Sequence, residues 1–147
     1  MNTFFKQPRA GFSLLETIIF GLILAIIISL FSLGFTTLYP KYKLKRAVWE
    51  IYSRLNYARY KAIFRTVKIK VKFDSTGYAL QKYDSKRKEW VTNEWGFLDG
   101  VSIEATNSPI FHPMGTVSNL ASIYLSNTQG RYKITLAITG RIKITQL

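Results

Sequence analysis

Two places in the sequence carry groups that could do more than hold a fold. The first is Glu16, at the head of a 23-residue run, Thr17 to Tyr39, that contains no charge. A carboxylate carried into a bilayer costs roughly 2.5–3.5 kcal/mol, and such residues are usually partnered and functional. The nearby cations are Lys6 and Arg9. A chain cut after Gly11 would offer another partner: Phe12 would carry a free α-ammonium one helical turn from Glu16, in the same chain or in a neighbouring copy. The second place is Gly140-Arg141-Ile142-Lys143. In an extended strand Arg141 and Lys143 project from one face about 6.6 Å apart, a spacing that suits successive phosphates of one DNA strand. Ile142 and Ile144 then point inward, and Gly140 permits a tight bend. Arg131 and Lys133, on the preceding strand, widen the patch.

Other chemistry is poorly supplied. With no Cys, the sequence excludes a disulfide framework, a thiolate metal site and a Cys nucleophile. His112 is the single His and sits in a Pro-Gly loop without a partner acid or nucleophile, so a structural or solvated role is expected. Asp74, Asp84 and Asp99 fall at turns, where carboxylates bond to backbone. Glu89 and Glu94 are the nearest thing to a calcium pair, and two acids make a poor one. No phosphate loop and no nucleophile elbow is present. We therefore expect no enzyme, no cofactor and no metal. What remains is a basic surplus: 21 Lys and Arg against 8 Asp and Glu, a net +13 in 147 residues. Such a field attracts polyanions. The Lys68, Lys70 and Lys72 row reads as a solvated face, because lysines on strands commonly serve solubility and block edge pairing.

The elements that must position these groups are legible from periodicity. The uncharged run spans about 35 Å as a helix, enough to cross a bilayer, and is apolar all round. Both of its flanks are basic, so charge alone leaves its orientation open. It is too long for the apolar region of a secretory signal peptide. After Pro40, residues Leu44, Ala47, Val48, Ile51, Leu55, Ala58 and Ala62 recur at helical steps, one stripe to bury. A helix from about Phe12 to Arg65 would be roughly 80 Å long, with Gly34 and Pro40 as its weak points. The period then switches to two at Val67, Ile69, Val71 and Phe73. Further strands are expected over Tyr78–Tyr83, Val101–Ala105, Ser122–Ser126, Tyr132–Ile138 and Arg141–Ile144, with an irregular stretch between Trp90 and Trp95. The fold class is α+β: a long N-terminal helix packed on a small, mostly antiparallel sheet of six or seven strands. The divisions are 1–11, 12–39, 40–66 and 67–147.

Gly11-Phe12-Ser13-Leu14-Leu15-Glu16, behind a short basic leader and ahead of an apolar helix, resembles the type IV prepilin (class III) signal. The resemblance implies that a prepilin peptidase cuts between Gly11 and Phe12 on the cytoplasmic side and N-methylates Phe12. It also implies that Glu16 guides assembly with other pilin or pseudopilin subunits, and it orients the chain across the inner membrane with everything after Pro40 outside. Further along, Leu55 to Ile63, Phe111-His112-Pro113-Met114-Gly115, Ile123-Tyr124-Leu125 and Tyr132 to Arg141 are similar to segments of the GspH/FimT-type minor pseudopilins. Gly140, Arg141 and Lys143 resemble the DNA-binding motif of FimT-type minor pilins, which take part in natural transformation. Three readings stay open: a type IV pilus subunit that captures DNA, a GspH-like pseudopilin of a type II secretion system without DNA binding, and a membrane-anchored β module outside any filament.

Overall fold

The computed structural model describes residues 13–147, and of 32–37 the backbone only. One helix, α1 (Leu14–Arg65), carries 52 of them and runs through Pro40. The chain falls into two compact units, one ending at Thr36 and the other spanning Thr37–Leu147.

In the first unit every described side chain from Ser13 to Phe31 is exposed. The stretch Leu14–Phe31 is long and apolar enough to cross a membrane. A helix apolar on all sides has no preferred face to bury within its own chain, so it needs lipid or the helices of other subunits around it.

In the second unit the pattern of α1 changes and so does its burial. Leu44, Ala47, Val48, Ile51, Leu55, Ala58 and Ala62 are each at most 3% exposed. They form one stripe because steps of three and four stay on one side of a 3.6-residue turn. The helix stops at Arg65. Thr66 takes a left-handed φ of 52°, and Val67 N bonds back to Ala62 O at 3.1 Å.

Among the described residues nine strands follow: β1 (Ile69–Phe73), β2 (Gly77–Asp84), β3 (Glu89–Phe97), β4 (Ser102–Ala105), β5 (Ile110–Phe111), β6 (Val117–Ser118), β7 (Ser122–Asn127), β8 (Gly130–Leu136) and β9 (Ile142–Gln146). They form two antiparallel sheets, ordered β3-β2-β1-β5-β6 and β4-β7-β8-β9. This corrects the expected single sheet of six or seven strands. The two-residue strands β5 and β6 are too short to show a period. The stretch from Trp90 to Trp95, read as irregular, is the body of β3; a β-bulge breaks its alternation opposite Leu80 and Gln81.

One core serves the unit. The helix stripe meets Ile69, Val71, Tyr78 and Leu80 of the first sheet and Ile103, Ile123, Leu125, Ile134 and Leu136 of the second. Phe111, Leu55, Ile123, Leu125 and Ile134 are fully buried.

Polar ties then fix the strands on the helix. Glu94 of β3 accepts from Lys61 Nζ at 2.6 Å and Tyr57 Oη at 3.1 Å, with Arg54 at 3.5 Å. The Lys61 bond holds the Glu94 carboxyl below its ordinary range and raises Lys61 in turn. Tyr78 Oη donates to Glu50 at 2.9 Å, and burial followed by that bond pushes the phenol up. Asp99 does not bond to backbone, as a turn aspartate was expected to; it pairs with Lys43. Asn127, in the β7–β8 turn, donates to Pro40 O at 2.7 Å.

Candidate functional site

The outer face of the four-stranded sheet gathers the cations singled out at the C-terminal end. Register places Lys133 beside Thr145 and Tyr124, and Thr135 beside Lys143. Alternation along β8 and β9 therefore puts Arg131, Lys133, Arg141 and Lys143 on one side. Ile142 and Ile144 lie on the other side, partly buried against the core. An open depression of about 770 Å³ is bordered by Lys133, Arg141 and Lys143, with Thr135 and Thr145 among its lining.

The four cations are not equivalent. Arg131 is spent within the chain: it pairs with Glu104 at 2.7 Å, and its guanidinium lies 4.7 Å from the Tyr124 ring centre. Lys133 sits 5.4 Å from the same ring. Arg141 and Lys143 are exposed and enter no ion pair among the described residues. The sequence reading missed Glu104 and Tyr124, because β4 and β7 come beside β8 only through long-range pairing.

The turn that leads into Arg141 is tied down by a third arginine. Arg59 of α1 reaches Gly115 O at 3.3 Å and Thr139 O at 3.0 Å. It thus joins the helix end, the Phe111–Gly115 loop and the β8–β9 turn. That turn closes through Gly140 N to Ala137 O and Ala137 N to Arg141 O, both 2.9 Å. Gly140 has φ +80°, and a Cβ there would lie 2.6 Å from Arg59 Nε and 2.9 Å from Gly115 O. Only glycine fits this crossing. Three segments distant in sequence are therefore one joint.

At the other end of the chain, Glu16 lies in the first turn of α1 and is exposed. Gly11 and Phe12 lie outside the described residues, as does the leader. His112 bonds Ser118 Oγ through Nε2 at 2.8 Å. Glu94 is committed to Lys61 and Arg54, and Glu89 to Arg87.

A long N-terminal helix, apolar along its first half and packed by one stripe on antiparallel sheet in its second, defines the pilin-like α+β class. Solved structures of that class match the chain. The minor pseudopilin EpsH of the type 2 secretion system of Vibrio cholerae is 13% identical over 71% of this chain and 97% of its own, with a TM-score of 0.61. The type IV minor pilin FimU of Pseudomonas aeruginosa is 16% identical over 71% of this chain and 90% of its own, with a TM-score of 0.60. No curated protein matches the chain in sequence. The family model described as "Type II transport protein GspH" matches residues 47–140, and the chain belongs to that family. It is a family of pilin-like structural subunits that assemble with other pilins or pseudopilins.

Proposed function

We infer that this chain is a minor filament subunit that presents the basic face around Arg141 and Lys143 to DNA. In this reading it is made as a single-pass inner-membrane precursor, and prepilin peptidase removes 1–11 by cutting between Gly11 and Phe12. Phe12 is methylated, and Glu16 docks against a terminal ammonium during assembly. Removal of the leader leaves a net +11 on 136 residues, so the mature subunit keeps its attraction for polyanions.

The observation that supports DNA capture is the pair of exposed cations, Arg141 and Lys143, held on one strand face by the Arg59 joint and unopposed by an acid. The test is duplex DNA titrated against the full chain in uncharged detergent over a salt series. Arg141→Ala with Lys143→Ala should weaken binding and lower the log–log salt slope by about 2, roughly one per lost phosphate contact. Unchanged affinity and slope would remove the motif from DNA binding.

The second reading is a pseudopilin of type II secretion without DNA binding, favoured by the family model and by the likeness to EpsH. Mass spectrometry of the mature N-terminus tests both: a chain that begins anywhere but Phe12 is not processed as a prepilin. Glu16→Ala should insert into the membrane but fail to enter filaments, and normal incorporation would sink the docking role.

A further inference from the structure

The outer face of the five-stranded sheet is built differently from the basic face described above. Three rows cross it. Lys68, Tyr83 and Trp90 make the first: Tyr83 N bonds Lys68 O at 3.0 Å, and Tyr83 pairs with Trp90. Lys70, Gln81 and Thr92 make the second, and Lys72, Ala79 and Trp95 the third. Phe97, opposite Gly77, follows one step on. Trp90 and Trp95 differ by an odd number of residues, so plain alternation would put them on opposite faces. The bulge in β3 inserts Asn93 and restores both to one side.

The result is a lane of cations beside a lane of rings. Trp95 is 79% exposed and Phe97 61%. Between Lys72 and Trp95 the small residues Gly77 and Ala79 floor an open trough of about 470 Å³. Lys70 Nζ lies 4.3 Å from the Trp90 ring centre, and Lys68 Nζ 5.9 Å from that of Tyr83. Of the acids at the two ends, Asp74 borders the trough with its carboxylate engaged by Ser75 N at 2.8 Å, and Asp84 accepts from Lys86 N at 2.9 Å. Glu94 points to the helix side.

We propose that this face binds single-stranded nucleic acid, with phosphates along Lys68, Lys70 and Lys72 and bases stacked on Trp95 and, as Lys70 swings from its ring to a phosphate, on Trp90. Successive lysines on one strand face stand about 6.6 Å apart, near the phosphate spacing of an extended single strand. Strand β3 lies two strand spacings, about 9.6 Å, from the lysine lane, so a base reaching across β2 meets a ring. The two tryptophan rows are about 13 Å apart and take bases two nucleotides from each other. Backbone-tracking cations with aromatic stacking platforms are what sequence-tolerant single-strand binders use. A duplex keeps its bases stacked inside and has only charge to offer this surface. The surface is independent of Arg141 and Lys143.

The test uses the full chain in uncharged detergent on a Trp49→Phe background, so that the remaining tryptophan signal comes from this face. The probe is oligothymidylate of about a dozen nucleotides, within the usual single-strand site size. We expect it to quench tryptophan fluorescence and to bind more tightly than a duplex of equal length. Trp95→Ala should weaken it roughly ten- to a hundredfold, and Trp95→Phe should restore most of the loss. Replacing Lys68, Lys70 and Lys72 by Gln should lower the salt slope by about 2. Arg141→Ala with Lys143→Ala should weaken the duplex more than oligothymidylate and leave quenching of the face's tryptophans at saturation intact, and this separates failure of the present proposal from failure of the duplex reading. Three results would overturn it: oligothymidylate affinity unaltered by Trp95→Ala, equal affinity and quenching with a duplex, or equal binding and quenching with a sulfated polysaccharide of matched charge.

Discussion

The two halves of α1 share a backbone and differ in everything else. From Leu14 to Phe31 every side chain is exposed, although nearly all are apolar. From Leu44 to Ala62 seven residues on one stripe are buried, and charged, aromatic and polar residues fill the rest. The first half satisfies its backbone internally and leaves its side chains to whatever surrounds it, as a membrane demands. The second half is half of a core, and it derives its stability from strands brought to it from far along the chain. The same secondary structure thus carries two patterns, and the arrangement of apolar residues decides which half has a face to bury within its own unit.

The contrast is easiest to break in the outer half. Leu55→Ala should destabilise the Thr37–Leu147 unit by about 2–5 kcal/mol, because a fully buried side chain is removed from a packed core. Denaturant unfolding in detergent, followed by near-UV circular dichroism, measures it. Gly140→Ala should cost about 1–3 kcal/mol through its positive φ, with the crowding against Arg59 adding to it. It should also shift Arg141, and the companion Arg59→Ala should relieve the crowding, so the double variant should lose less than the sum.

Glu94→Gln should cost about 1 kcal/mol, since the carboxylate is partly exposed and solvent screens the pair. This substitution also has a pH signature. Glu94 is held below its ordinary value, so its contribution is fully present above that value and is lost as pH falls through the depressed one. Lys61 is raised, so its contribution is present below its ordinary value and lost as pH rises through the raised one. Glu94→Gln should therefore flatten the acid limb of the stability profile below about pH 4 and leave neutral curvature unchanged. The smallest effect belongs to the inner half: Ile23→Ala should change unfolding of the Thr37–Leu147 unit by less than about 0.5 kcal/mol. A large change there would show that the two halves are coupled rather than separate.

The helix was readable because its signals are local. The uncharged run and the seven-residue stripe each repeat within a few turns, and both appear in the structure where the periods place them. Long alternating strands such as β1 and β8 were readable for the same reason. Strand β3 was not, because its bulge shifts the alternation midway, and β5 and β6 are too brief to carry any. Of the basic C-terminal group, the facing of Arg141 and Lys143 followed from alternation in one strand. The engagement of Arg131 by Glu104 and Tyr124 did not, since those partners come from β4 and β7.

The amino-acid order alone determined which stretches are apolar all round, which are apolar on one side, and where the charge lies. Those are properties of neighbours along the chain, set by turn and pleat geometry. Pairing across the chain decided the rest: two sheets in place of one, Trp90 and Trp95 on a common face, and Arg59 lodged between Gly115 and Thr139. Such contacts depend on register and on which strands become neighbours, and no local period carries that information.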